Sequence, residues 1–256
     1  MKSALYGGIL ALQFLTRLPL PIACPWTPAT RRWAVRAYPL VGLLLGGMLA
    51  LAAQLMHGAP APLAALALLS LWVALSGGLH LDGMMDLADA LGSNQPMARR
   101  WEIMKDPQVG SFGMLALFFL LAWKGVMLWA LLHYGAPLWW LVAIPALARF
   151  GGAALLVLTP CAQQKGMAWS WQQSLVPRDV ALALVPLGVM SIGWPGVLAA
   201  LVAACLLVAL ARWVLLRLFH GINGDMVGAT IEGGELWLMI LMWSWWWFAM
   251  ASPPGT

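Results

Sequence analysis

Apolar residues gather along this chain into long runs separated by short polar joints. A helix needs roughly 17 to 25 such residues to cross a bilayer. Seven runs fit or approach that length: 38–56, 62–79, 111–132, 137–158, the short 179–191, 195–218 and 236–251. An eighth, 5–20, carries Arg17 near its end and meets Pro19, Pro21 and Pro25. The pattern leaves this N-terminal piece either as a half-helix in the interface or as an additional span. The fold expected is therefore all-α, a polytopic integral membrane protein of about seven transmembrane helices plus that segment.

Composition agrees, with 62% hydrophobic residues, 9% charged and a mean hydropathy of +0.84, far from a soluble domain. The longest polar connections, about 92–110 and 159–178, are too short to fold alone. Residues 1–256 are thus expected to form a single membrane-embedded domain. No cleavable signal peptide is expected, because 5–20 lacks a small-residue cleavage site. Cys24, Cys161 and Cys205 have no metal-type spacing and read as small apolar residues.

Basic residues fall in alternate joints: Arg31, Arg32 and Arg36; Arg99, Arg100 and Lys105; Lys165 and Arg178; Arg212 and Arg217. The joints between them, 57–61, 133–136 and 192–194, hold no Lys or Arg. Such asymmetry marks the cytoplasmic side. The Trp243 to Trp247 cluster then belongs at the opposite interface, with an external C-terminus.

The chain has nine carboxylates, and eight lie in two windows. The first holds Asp82, Asp86, Asp89, Glu102 and Asp106; the second holds Asp225, Glu232 and Glu235; Asp179 stands apart. Carboxylates beside hydrocarbon cost several kcal/mol unless something compensates. If 82–90 is helical, Asp82, Asp86 and Asp89 share an arc of about 60°. The outer two are about 10 Å apart along the axis, so Asp86 could share an ion with either. Oxygen-only ligation suits Mg²⁺ or Mn²⁺ accompanied by substrate phosphates. A solvated acidic face is the plainer alternative, although no Lys or Arg supplies the usual i+4 partners.

His80 precedes the stripe and is a candidate for catalysis, capping or packing. The second window, 220–235, is glycine-rich, repeats the seven-residue spacing in Asp225 and Glu232, and could complete a site or form a flexible turn. Arg99, Arg100 and Lys105 sit on a short helix that Pro96 opens; they could hold phosphates or pair with Glu102 and Asp106. Lys124 and Arg149 lie deep in apolar runs, where a charge marks a functional cavity or an ion pair.

Together these residues resemble the cobalamin (5′-phosphate) synthases, or adenosylcobinamide-GDP ribazoletransferases. The resemblance covers nearly the whole chain. It rests on 14–19 (Phe-Leu-Thr-Arg-Leu-Pro), 38–42, the His80-Leu81-Asp82-Gly83 block with Asp86 and Asp89, Met104-Lys105-Asp106 with 110–113, Lys124, Arg149, and Gly224-Asp225 with Gly228-Ala229 and Glu232. Two departures occur: Asn223 stands where the family pattern has Thr, and 163–166 replaces a more acidic segment.

The resemblance implies that the 5′ oxygen of α-ribazole, or of its 5′-phosphate, joins the phosphate of adenosylcobinamide-GDP and that GMP leaves, with Mg²⁺ required. It implies Asp82, Asp86 and Asp225 as metal ligands, and Asp89 or Glu232 as general base. Lys124 and Arg149, with Arg99 and Arg100, would steady charge on the phosphates. The implied setting is the bacterial cytoplasmic membrane with the site facing the cytosol. The lipid bilayer is a partner; nucleic acid is not. A homo-oligomer or a complex with other cobalamin-assembly enzymes is compatible with it. Two competitors are a CDP-alcohol type phosphotransferase, whose Asp-x-x-Asp-Gly pattern 82–86 does not match, and a cation-coupled transporter, which needs access from both faces.

Overall fold

The computed structural model describes residues 2–251, with side chains described through residue 248. They form twelve helices: α1 (Lys2–Leu15), α2 (Pro28–Leu55), α3 (Ala61–Ser76), α4 (Leu79–Gly92), α5 (Met97–Ile103), α6 (Ser111–His133), α7 (Trp139–Leu158), α8 (Gly166–Gln172), α9 (Pro177–Ala183), α10 (Val185–Gly193), α11 (Gly196–Phe219) and α12 (Gly224–Ala251). The all-α membrane class expected from the apolar runs is what the chain adopts. Residues 252–256, on which an external C-terminus depends, lie outside the described residues.

Among the described residues, α2, α6, α7 and α11 are long and apolar enough to cross a membrane. Two pairs pass only as bent units: α3 with α4 at 90°, and α8 with α9–α10 at 92°. The count is thus four, or six if each bent pair crosses once, against the seven expected. At 1.5 Å per residue, 14-residue α1 is about 21 Å long and falls short of a hydrocarbon core of about 30 Å. It is a half-length helix packed along α2, which it approaches closely at Gly7 against Trp33 and Ala34.

Helix α7 is the centre of the bundle, buried along nearly its whole length. Gly42 and Gly46 bring α2 directly onto it: a Cβ at Gly42 would lie 2.5 Å from the Pro145 carbonyl oxygen, and one at Gly46 2.6 Å from Val142 Cα. Close approach at small residues spaced by four is how helices gain contact in lipid, where apolar burial alone gives no preference.

Helix α2 starts at Pro28, ten residues before the apolar run, capped by Thr27, whose hydroxyl accepts from the Thr30 N–H at 3.2 Å. Its basic first turns are held by Asp179, the acid that stood apart. Asp179 is wholly buried and pairs with Arg36 at 2.7 Å and Arg32 at 3.2 Å. It also accepts from the Val176 N–H, which begins α9. One carboxylate therefore fastens α9 to α2.

At the α3–α4 bend, Gly77 and Gly78 both take φ +73°, a left-handed pair that turns α4 across the end of the bundle. That end gathers the basic joints, α5 and both acid windows.

Candidate active site

The two windows, about 140 residues apart in sequence, meet where α4 crosses the start of α12. Glycines make the crossing possible. A Cβ on Gly83 would lie 2.6 Å from the Asp225 carbonyl oxygen, and one on Gly228 3.1 Å from His80 Cα. Asn223 starts α12 by accepting from the Met226 N–H at 3.1 Å, and its amide donates to Asp225 at 2.7 Å. The residue that departs from the family pattern thus caps the helix and orients the acid beside it.

Asp82 is exposed, and Asp86 and Asp225 are half-buried. Among the described residues no Lys or Arg forms an ion pair with any of the three. Partial burial, then the Asp82, Asp225 and Asp89 carboxylates, push the Asp86 carboxyl up to about 6. Burial and Asp82 also raise Asp225, against the lowering hydrogen bond from Asn223. Uncompensated acids facing one another suit a cation's place.

No group of three or more His, Cys, Asp or Glu side chains among the described residues is gathered so as to hold a metal by itself. The donor chemistry nonetheless fits a hard divalent ion, which commonly takes one or two carboxylates and fills its remaining positions with water and substrate phosphate.

Asp89 completes the stripe but differs in kind. Its two oxygens accept the Gly110 and Gly113 N–H groups at 2.8 and 2.9 Å. It secures the start of α6 beneath α4, and both glycines leave room for it.

Lys124, Arg149, Glu232 and Glu235 come together, all buried. Lys124 donates to Glu232, and to Glu235 at 2.6 Å; Arg149 donates to Glu235 at 2.7 Å. The Trp72 indole N–H adds a bond to Glu235 at 3.3 Å, and Lys124 lies over the Trp72 ring. Two cations and two carboxylates match, tying α3, α6, α7 and α12. This cross-helix pairing was the alternative to phosphate binding, and it occupies Glu232 as well.

Of the α5 cations, exposed Arg99 pairs with Glu102 at 2.6 Å. Arg100 donates to the Leu218 carbonyl at 3.5 Å and lies over Phe219. Lys105 is exposed. Sequence reasoning assigned no role to Arg17, although it lies within the 14–19 block. Its exposed side chain lies against Gly77, where any Cβ would collide with it, so a cation without a carboxylate partner among the described residues stands at the entry to α4.

Behind the mouth is a cavity of about 290 Å³ with His80 and Asp225 in its wall. The joint after α7 closes this region, held by an isolated parallel bridge between Cys161 and Ile222 and by Gln172, whose amide donates to the Leu156 and Thr159 carbonyls.

Residues 7–243 match the family model described as cobalamin-5-phosphate synthase. The chain is 38% identical to an adenosylcobinamide-GDP ribazoletransferase of Geobacillus kaustophilus, over 95% of this chain and 97% of that protein. It is 41% identical to proteins of the same name from Pseudomonas paraeruginosa and Pseudomonas aeruginosa, each over 94% of this chain and 99% of the relative. No solved structure matches.

Proposed function

The chain belongs to the cobalamin-5-phosphate synthase family, and from that premise and the acidic mouth we propose that it is an adenosylcobinamide-GDP ribazoletransferase working at a membrane surface. A secondary ribose hydroxyl of α-ribazole, or of its 5′-phosphate, bonds to the phosphorus nearest the cobinamide; the 5′ oxygen expected from the resemblance cannot do so for both acceptors, because the 5′-phosphate already esterifies it. The bond from that phosphorus to the bridging oxygen breaks, and GMP leaves with the electron pair. The product is adenosylcobalamin or its 5′-phosphate.

The observation that carries this reading is the meeting of Asp82, Asp86 and Asp225 with no ion-paired Lys or Arg among the described residues. One or two of these three carboxylates would hold Mg²⁺ or Mn²⁺, with water and substrate phosphate filling its other positions, and the ion would supply charge neutralisation for the pyrophosphate. Arg17, Lys105 and Arg99, whose partner Glu102 is itself exposed, are among the solvent-exposed cations that can meet phosphate oxygens. Lys124 and Arg149 hold the bundle's charge balance, and their matched carboxylates leave no open cation for a phosphate. The attacking hydroxyl gives up its proton as its oxygen bonds to phosphorus. Asp89 and Glu232 are already engaged by donors, so a mouth carboxylate that the metal does not hold would take the proton. The alternation of the basic joints supports a mouth that faces the cytoplasm from the bacterial inner membrane. A transporter would need a polar path to both ends, whereas the unpaired acids occupy one.

The test is GMP release by the detergent-purified protein from adenosylcobinamide-GDP, with and without α-ribazole, under Mg²⁺ titration. Release that requires both substrates and the metal, and falls at least about 100-fold in Asp86→Asn, supports the assignment. Release independent of α-ribazole, or unchanged in the variant, overturns it.

A further inference from the structure

The cavity behind the mouth differs in chemistry from the mouth itself. Its walls are mostly apolar and aromatic: Phe14 from α1, Tyr38 from α2, and Met167 and Trp171 from α8. The Phe14 and Trp171 rings meet edge to face at 5.0 Å, and Tyr38 approaches Trp171 at 6.2 Å, fixing a rigid aromatic lining. Three polar side chains interrupt it, the Tyr38 hydroxyl among them. Asp225 lies at the side shared with the acidic mouth, and His80, only 6% exposed, has an Nδ1 with no hydrogen-bond partner among the described residues. A buried polar atom left unpaired costs free energy, and a ligand group is one explanation for it.

We propose that this cavity is the acceptor subsite, holding the flat, weakly polar base of α-ribazole, with His80 Nδ1 bonded to the nucleoside and the attacking ribose hydroxyl directed past Asp225 into the mouth. The inference rests on the transferase reading and adds to it where the acceptor binds. Size and polarity select among the reacting pieces. A corrin macrocycle is too large for about 290 Å³. Guanine presents several donors and acceptors along its edges, and these walls would leave most of them unpaired. An aromatic base with few polar atoms buries its faces here without that penalty. The position is also right, because Asp225 belongs to both the cavity wall and the acid set, so a nucleoside seated here has its sugar beside the reacting phosphates.

Met167 is 55% exposed, so a bulkier side chain there fills the cavity without disturbing the bundle core. In steady-state GMP release, Met167→Trp is expected to raise the KM for α-ribazole by about tenfold or more and to leave the KM for adenosylcobinamide-GDP within about twofold. His80→Leu is expected to raise the same KM, with partial recovery in His80→Asn, whose amide restores a hydrogen-bonding group. Calorimetric titration of α-ribazole alone into each purified variant should show the same order of affinities. If the wild type releases GMP only with α-ribazole but Met167→Trp leaves the α-ribazole KM unchanged, or raises the donor's KM instead, the subsite assignment is wrong and the transferase reading stands. If the wild type releases no GMP under any metal condition, the transferase reading falls and the subsite with it.

Discussion

Replacing Lys124 with Met tests the matched-charge cluster most sharply. Lys124 is 3% exposed and bonds to both Glu232 and Glu235, while Arg149 reaches only Glu235. The variant therefore leaves Glu232 without a cationic partner. Removing one partner of a buried pair costs about 3–5 kcal/mol. A second route gives a similar ceiling: a carboxylate stripped of its cation can take up a proton, which at pH 7 costs about 3.7 kcal/mol from an ordinary Glu pKa near 4.3. For a chain of this length such a loss lowers the melting temperature by about 6–20 °C. The proton route also fixes a pH trend, since that cost shrinks by about 1.4 kcal/mol for each unit of acidification. Thermal unfolding in detergent, followed by near-ultraviolet circular dichroism at pH 5.5 and 7.5, reads both. Lys124→Met with Glu232→Gln keeps Arg149 opposite Glu235 and should recover a large part of the loss at pH 7.5. A single variant within about 1 kcal/mol of wild type, or a double variant no more stable than the single, would refute charge matching as what holds these helices.

Three further outcomes follow from the geometry. Asp86, raised to about 6, is protonated below that pH. Half-saturating Mg²⁺ for GMP release should rise about tenfold per unit below pH 6, and the metal-free protein should gain thermal stability on acidification through the same range, a gain absent in Asp86→Asn. Asp179→Asn weakens the buried clamp on Arg32 and Arg36 and should cost about 2–3 kcal/mol, read by thermal unfolding, with little change in the KM of either substrate. Gly83→Ala puts a methyl against the Asp225 backbone; parting α4 from α12 by about 1 Å should cut kcat by about 100-fold, and a rate within threefold of wild type would show that the crossing tolerates more than its spacing suggests.

Much of this arrangement can be read along the chain because charges are scarce. The Asp82, Asp86 and Asp89 stripe stands out against apolar surroundings, and Lys124 and Arg149 stand out inside theirs. What sequence leaves open is which opposite charges find one another. Asp89 continues the helical spacing of its neighbours, yet backbone N–H groups at the start of α6 engage both of its oxygens, and no periodicity along α4 foretells a contact made from the next span. Asp179 looks isolated because its partners lie more than 140 residues earlier. Proline misleads in a local way. Tyr38-Pro39 reads as the opening of a helix, whereas Pro39 lies within α2, and the basic turns before it are helical because α9 supplies their counter-charge. The crossing of the acid windows is encoded in Gly83 and Gly228, but a lone glycine in a helix does not say which backbone will approach it.

The order of the helices along the chain also bears on how the protein is made. Lys124 and Arg149 leave the ribosome on α6 and α7, while both acids that neutralise them arrive on α12. Until then the inserting chain holds two buried cations at about 2.5–3.5 kcal/mol each on translocation scales. The same late helix brings Asp225 to the mouth. Charge neutralisation and completion of the site are therefore a single event in biogenesis, and a nascent chain halted before α12 is both poorly inserted and inert.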